Sequence, residues 1–363
     1  MADKIFVMTP ITADTYQIVF NTAGYDSLNT FLDTSTYSKL FIIVDENTHE
    51  QCLAEFLGEL RTSLPLDIIE IPAGESHKTI DTCVQVWEAL AEIDADRKAL
   101  IINLGGGVVT DLGGFVASTF KRGMDFINIP TSLLAMVDAS VGGKTGVDLG
   151  NLKNLVGVIQ NPQMVLIDSA FLATLPQEEM RSGLAEIFKH GLIADTAYWD
   201  QLKDLSALTT NDLNDLIYKS IQIKNTIVLQ DPLEKNIRKT LNFGHTLGHA
   251  IESYFLVHQE RKSLLHGEAV AIGMLLESYL SYKTVGLSKI ELEEISHTLK
   301  QMYGLVEFNE EDIDAIINLL KYDKKNSNGV VNFVLLEKIS QPIIDQQATN
   351  TLIKEAFQYY ANT

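Results

Sequence analysis

The sequence predicts an α/β fold, a Rossmann-like N-terminal domain followed by a mainly α-helical C-terminal domain. Three features carry that expectation. Up to about residue 170, short apolar runs alternate with helical patterns; one of those runs leads into a glycine-rich turn; and after Leu175-Pro176 long helical segments take over. Such alternation is the signature of strands buried on both faces by crossover helices.

Taken in order, Leu40 to Val44, Asp67 to Ile71, Leu100 to Leu104, Phe126 to Ile129 and Val165 to Ile167 are apolar runs bounded by turn or polar residues, and they predict parallel strands. Between them, Glu50 to Leu60 and Thr79 to Ile93 place apolar residues at helical spacing. The second half predicts helices over Asp212 to Leu229, Gly267 to Tyr282 and Lys289 to Met302, with one strand-like piece at Val330 to Leu336. No repeat, low-complexity tract or Pro/Ser-rich linker separates the halves. Domains over 1–175 and 176–363 are therefore expected to pack directly and form a cleft.

Length and composition support two cores, since 363 residues exceed what one ordinary core serves and 46% are apolar. With 28 basic against 48 acidic residues the net charge is -20, which argues against nucleic acid or an anionic membrane as partner. A phosphate-bearing ligand must then meet a local positive cluster. Cys52 and Cys83 alone cannot build a disulfide framework, no apolar run of signal-peptide length opens the chain, and no stretch is long enough to span a membrane. A cytoplasmic protein is expected.

The strand Leu100 to Leu104 runs into Gly105-Gly106-Gly107-Val108-Val109-Thr110-Asp111-Leu112-Gly113-Gly114. Glycines there let backbone amides approach a diphosphate at a helix N-terminus. The spacing is not the usual dinucleotide fingerprint, because Thr110 takes the place of the third glycine, so a tight structural turn is the competing reading. Two polar loops end other strands: Asp45-Glu46-Asn47, where a ribose hydroxyl could be held, and Gly74-Glu75-Ser76-His77-Lys78. Solvated turns would look the same.

Gly142-Gly143-Lys144-Thr145 ends like a nucleoside-triphosphate loop but lacks the first glycine at the required spacing. Lys144 is better read as a point charge for an anionic substrate, with Lys153-Asn154 nine residues on. Further along, His245 and His249 are four apart and project from one helix face. Thr246 stands where a zincin would have glutamate, His266 precedes Gly267-Glu268, and Glu186 lies in Ala185-Glu186-Ile187. Two histidines and one carboxylate would leave an open position, as catalytic zinc requires, whereas ordinary core or surface histidines are the bland alternative.

Together these segments resemble the 3-dehydroquinate synthase family of the shikimate pathway, from Val44-Asp45-Glu46-Asn47 through Asp323-Lys324-Lys325, over most of the chain. The most specific blocks are Gly105 to Gly123, Pro130 to Asn154, Ala185 to Gly191, Leu241 to Ile251 and His266-Gly267-Glu268. The resemblance implies NAD, one divalent metal (zinc or cobalt), a sugar-phosphate substrate and a homodimer. It implies Glu186, His245 and His266 as metal ligands, leaving His249 and Glu234 as proton-transfer residues. It matches Asp45, Asn47, Glu75, Lys78, Gly106, Gly107, Asp111, Thr131, Ser132, Lys153, Phe171 and Thr174 to cofactor contacts. Substrate positions fall on Arg122, Asp138, Lys144, Asn154, Lys189, Lys224, Arg238, Asn242 and Lys325, of which Asp138, Lys144 and Asn154 are also implicated in catalysis.

Three departures stand out. Ser132 replaces threonine, Leu152 replaces the glycine before Lys153, and Ser182 sits where a cofactor-contacting asparagine can occur. The implied reaction converts 3-deoxy-D-arabino-heptulosonate 7-phosphate to 3-dehydroquinate and phosphate. Rival readings are another sugar-phosphate cyclase, a metal-dependent polyol dehydrogenase, and a non-catalytic nucleotide-binding module.

Overall fold

The computed structural model describes residues 8–150, 152–203, 210–258, 261–320 and 331–363. They form two compact units, one comprising Met1–Pro176 with Thr209–Asn225 and the other Gln177–Leu208 with Thr226–Thr363. Among the described residues no helix is long and apolar enough to cross a membrane.

In the first unit, β1 (Ile11–Thr12) and β2 (Gln17–Phe20) lead through α1 (Asn21–Thr34) to β3 (Leu40–Asp45). Then come α2 (Glu46–Gln51), α3 (Leu53–Glu59), β4 (Leu66–Ile71), α4 (Ile80–Glu92), β5 (Leu100–Gly105) and α5 (Gly107–Thr119). The unit continues with β6 (Asp125–Pro130), a hairpin of β7 (Lys144–Leu149) and β8 (Leu152–Ile159), and β9 (Met164–Ile167). The seven-stranded sheet has the order β1-β2-β9-β6-β5-β3-β4, parallel throughout except for β1 against β2. All five strands anticipated from apolar runs are present.

Position in the sheet explains their composition. Every residue of the central strands β3 and β5 is buried, whereas edge strand β4 turns Leu66 and Ile68 outward. Phe41, Ile43, Ile101 and Phe126 meet Val109, Leu112 and Val116 of α5 in one apolar cluster. The chain leaves β3 toward one side of the sheet and β5 toward the other. That reversal opens a crevice at the carboxyl ends of β3 and β5, where α/β sheets take their ligands.

The helix expected over Glu50 to Leu60 is two helices. Asp45 ends β3 and at once caps α2 through a reciprocal box with Thr48, so the helix starts earlier, and non-helical backbone at Cys52 breaks it from α3. The β7–β8 hairpin was not anticipated. It is a two-stranded ribbon whose second strand is largely exposed, so no alternation marks it, and Gly146 faces Gly157 where a Cβ on Gly157 would come 2.3 Å from the Thr145 carbonyl.

The second unit contains α6 (Gln177–Ala194), α7 (Thr196–Leu202), the end of α8 (Thr210–Gln230), α9 (His245–Val257) and α10 (His266–Thr284). It ends with α11 (Lys289–Tyr303), α12 (Glu310–Leu319), the pair β10 (Phe333–Lys338) and β11 (Gln341–Gln346), and α13 (Asn350–Asn362). Helix α10 is buried along almost its whole circumference and is surrounded by α6, α9, α11, α13 and β10. A helix apolar on every side can only be central. The start of α8 belongs to the first unit: Tyr218 packs on Phe20 at 5.3 Å and Asn225 Nδ2 donates to the Thr12 carbonyl at 3.0 Å.

Candidate active site

In the first unit, the loops after β3, β4, β5, β6 and β9 all emerge at one edge, because those strands are parallel. Gly106 is the N-cap of α5 and has no side chain to satisfy the first amides of that helix, which leaves the N-terminal positive end open to an anion. The Thr131 amide donates to the Gly105 carbonyl at 3.0 Å, and a Cβ on Gly106 would lie 3.3 Å from Ser132 Oγ, so Thr131 and Ser132 sit on the glycine turn. The second Gly-Gly pair serves packing. A Cβ on Gly113 would come 2.0 Å from Asn103 Oδ1, and one on Gly114 2.5 Å from Thr145 Cγ2.

At the same edge lies a charged cluster. Lys78 Nζ donates to Asp111 Oδ2 at 2.6 Å, and Lys153 Nζ to Glu75 Oε1 at 3.0 Å. Burial pushes the Asp111 carboxyl up, and the Lys78 ammonium only partly offsets that. Burial alone would lower Lys78, yet Asp111 and Glu75 hold its pKa above the ordinary lysine value. Asp148, which sequence reasoning did not single out, joins this cluster: its amide donates to the Lys78 carbonyl at 2.9 Å and its Oδ1 accepts from the Asn154 amide at 2.6 Å. Buried Lys224 holds Asp138 Oδ1 at 2.9 Å in the π-helical turn Ala135–Ala139.

Asp45 Oδ1 accepts from the Thr48 amide at 2.8 Å as a helix cap, and the Thr174 hydroxyl donates to the Phe171 carbonyl at 3.0 Å. Asn47 is exposed in α2. Gly142 and Gly143 have positive φ and turn the chain into the hairpin that starts at exposed Lys144, so this is no triphosphate loop. Arg122 is exposed beyond the C-terminal end of α5, at the opposite sheet edge from the glycine turn and not among the other candidates.

In the second unit, α6 supplies Glu186 and Lys189, α9 supplies His245 and His249, and His266 opens α10. His245 Nε2 and His266 Nε2 lie 3.3 and 3.4 Å from Glu186 Oε1. A tetrahedral zinc site with bonds of about 2.1 Å has donor–donor edges of about 3.4 Å, so these three residues fit the metal. Glu186 Oε1 is buried without a well-formed hydrogen bond, as befits a ligand atom, while Oε2 pairs with Lys189. The three histidines also have donor atoms within 4.8 Å of one another, which brings His249 beside the trio.

Electrostatics set the three groups differently. Burial would raise the Glu186 carboxyl, but Lys189 and His245 outweigh it and hold it ionised well below the usual range. Burial pulls His245 down despite Glu186, leaving the neutral imidazole a metal needs. At His266 burial also pulls downward, but Glu252 and Glu186 overcome it and push the ring up to about 10, so both carboxylates favour positive charge there.

The ligand helices are held by partners that sequence reasoning missed. Gly244, with φ +79, caps α9 without a side chain, and buried Glu277 of α10 accepts the Gly244 and Leu247 amides at 2.7 and 3.1 Å. Ser182 Oγ accepts the Gly267 amide at 2.9 Å, so this residue fastens α6 to the start of α10. Glu234 Oε1 accepts from Asn242 Nδ2 at 2.9 Å, and Arg238 is buried with Nη1 donating to the Pro232 carbonyl at 2.7 Å. Lys325 lies outside the described residues.

Asp231 organises the loop that carries Glu234 and Arg238, because its carboxylate accepts amides of Lys235, Asn236 and Arg238 at 3.0, 2.6 and 3.1 Å. Burial would raise its pKa, but these amides lower it below 3.8. Asp231→Ala should cost on the order of 1 kcal/mol of stability in urea unfolding at neutral pH. A depressed carboxyl stabilises above its unfolded value and loses that effect as pH falls through its folded one. The gap between variant and parent should therefore close below pH 3.8; a gap that persists in acid would show that ionised Asp231 is not its source.

Known proteins resemble the chain over the same blocks. The family model for the 3-dehydroquinate synthase N-terminal part matches residues 68–182, and that for the C-terminal part matches 183–326. The 3-dehydroquinate synthase of Parabacteroides distasonis is 42% identical over 92% of this chain and 94% of its own. That of Rippkaea orientalis is 43% identical over 80% of this chain and 81% of its own. Among solved structures, 2-epi-5-epi-valiolone synthase from Streptomyces hygroscopicus subsp. jinggangensis 5008, with NAD+ and Zn2+ bound, superposes with a TM-score of 0.83 at 27% identity, covering 98% of this chain and 99% of that one. With both halves matched and identity sustained along the chain, the glycine turn and the Glu186, His245, His266 trio are parts of a member of the 3-dehydroquinate synthase family.

Proposed function

We infer that the chain is a carbon–oxygen lyase that converts 3-deoxy-D-arabino-heptulosonate 7-phosphate to 3-dehydroquinate and inorganic phosphate, using NAD and one divalent metal, zinc or cobalt. The observation that carries this reading is the approach of His245 and His266 Nε2 to Oε1 of buried Glu186, both at the edge length of a tetrahedral metal site, in a chain of this family. The first unit is the NAD-binding domain and the second the helical metal- and substrate-binding domain. The start of α8, with Lys224, goes with the first. The family pattern supports a cytoplasmic location and homodimeric assembly as part of this reading. The hairpin's exposed Leu149, Leu155 and Ile159 are consistent with a covered surface.

When bound, NAD supplies a hydride acceptor that is restored within one cycle, and the divalent ion supplies a Lewis acid that acidifies a substrate hydroxyl. The protein's own residues do the rest. The amides at Gly106 and Gly107 face a diphosphate, Asp45 and Asn47 a ribose, and Glu75, Lys78, Asp111, Thr131, Ser132, Lys153, Phe171 and Thr174 complete the cofactor contacts. Lys144, Asn154, Asp138 and Lys224 from the first unit bind substrate. Lys189, Arg238, Asn242 and Lys325 from the second supply charge and hydrogen bonds for carboxylate and phosphate.

His249 takes and returns a proton at an imidazole nitrogen. Glu234 does so at its carboxylate, which Asn242 orients. Holding the substrate in one conformation favours loss of phosphate by β-elimination and then intramolecular aldol closure. Arg122 keeps its substrate role on the family pattern alone.

The test mixes purified protein, substrate and NAD with and without a chelator, following phosphate and absorbance of reduced cofactor. Phosphate should appear without net NADH and should vanish on chelation. Stoichiometric NADH would instead select a polyol dehydrogenase, and phosphate release indifferent to chelator would remove the metal.

A further inference from the structure

We propose that Glu252 is a positioning residue of the metal centre, fixing the ring of His266 so that Nε2 is its donor. The inference rests on the metal-centre reading above. Glu252 lies on α9 seven residues after His245 and is 4% exposed. Its Oε2 is 3.2 Å from His266 Nδ1, while Nε2 of the same ring is 3.4 Å from Glu186 Oε1. The imidazole is thus spanned by carboxylates from two helices.

A neutral imidazole carries one N–H. With a carboxylate at Nδ1, the proton belongs there and the lone pair is left at Nε2, which faces Glu186. His245 shows the same arrangement with a different partner, since its Nδ1 lies 3.0 Å from the Phe243 carbonyl and its Nε2 3.3 Å from Glu186. Both ligand rings therefore present the same nitrogen, one held by a neutral carbonyl and the other by an anion. An anionic partner makes a ligand imidazole more basic and ties its orientation more firmly.

The experiment uses full-length protein and zinc alone, with affinity read by competition against a chromogenic chelator. Glu252→Gln keeps size and an acceptor oxygen but removes the charge, and Glu252→Ala removes both. Zinc affinity should fall 10–100-fold in the glutamine variant and further in alanine. The melting temperature of the chelator-treated glutamine variant should match that of the parent, and the visible absorption of its cobalt form should shift. Unchanged zinc affinity in both variants would overturn the proposal, as would losses that merely follow melting temperature with the cobalt spectrum intact.

Should the variants not fold, nitrogen-15 spectra of the zinc-loaded parent decide, because a His266 proton on Nε2 is incompatible with the proposal. A parent that binds no zinc through His245 would sink the metal centre itself. Normal parental binding with indifferent Glu252 variants would sink only Glu252.

Discussion

Alanine in place of His245 is expected to leave the purified protein without zinc and to lower turnover by on the order of 10³-fold, since a Lewis acid contributes several kcal/mol to transition-state stabilisation. The geometry makes this ring hard to replace. Its Nε2 is 3.3 Å from Glu186 Oε1 and its Nδ1 is 3.0 Å from the Phe243 carbonyl, so both ring nitrogens are engaged. His249, on the same helix face, serves as the control: His249→Ala should keep its zinc and lose roughly 10²–10⁴-fold in rate as a proton-transfer variant. Zinc measured by atomic absorption separates the two, and full occupancy in the His245 variant would remove that residue from the ligand set. NAD affinity by calorimetry should change in neither.

Gly273→Ala should be among the most damaging single-methyl changes, with Gly267→Ala. A Cβ at residue 273 would stand 1.9 Å from the Gly244 carbonyl oxygen and 2.7 Å from the Gly248 amide nitrogen, and both are backbone atoms that cannot swing aside. Forced overpacking of this kind costs roughly 3 kcal/mol, which corresponds to about 6–12 °C in melting temperature. Activity should fall with it, because Gly244 begins the helix that carries His245 and His249. Thermal unfolding followed by circular dichroism checks the first part, and a melting temperature equal to the parent's would show that α9 and α10 do not touch as closely as described.

What could be read from the sequence follows from physics that acts locally. The strands β3, β5 and β6 declare themselves because burial on both faces demands unbroken apolar runs, and α5 follows from the glycines that open it. The exposed hairpin does not, since little of it is buried and alternation has nothing to mark. The split between α2 and α3 hides in one residue, Cys52, whose backbone leaves the helical region. His245 and His249 on one helix face were legible from spacing, as was Glu186 once the family pattern was seen.

The supporting shell was not. Glu252, Glu277 and Asp148 are ordinary acidic letters in the sequence, and only folding reveals which amide or imidazole each one meets. For Glu252 a signal did exist, because a carboxylate seven residues after His245 lies on the same helical stripe. The glycines of α9 and α10 were equally opaque: nothing in the sequence marks Gly244, Gly248, Gly267 and Gly273 as contact points, yet all four permit backbone to approach backbone.

That backbone-to-backbone contact has a kinetic corollary. With backbone close against backbone at Gly248 and Gly273, and Glu277 of α10 holding the first amides of α9, the two helices separate by opening as one cooperative block. An ion gripped by one ring from each helix would then escape at the frequency of that opening, so its residence time is governed by the mechanics of two helices as much as by the strength of its bonds.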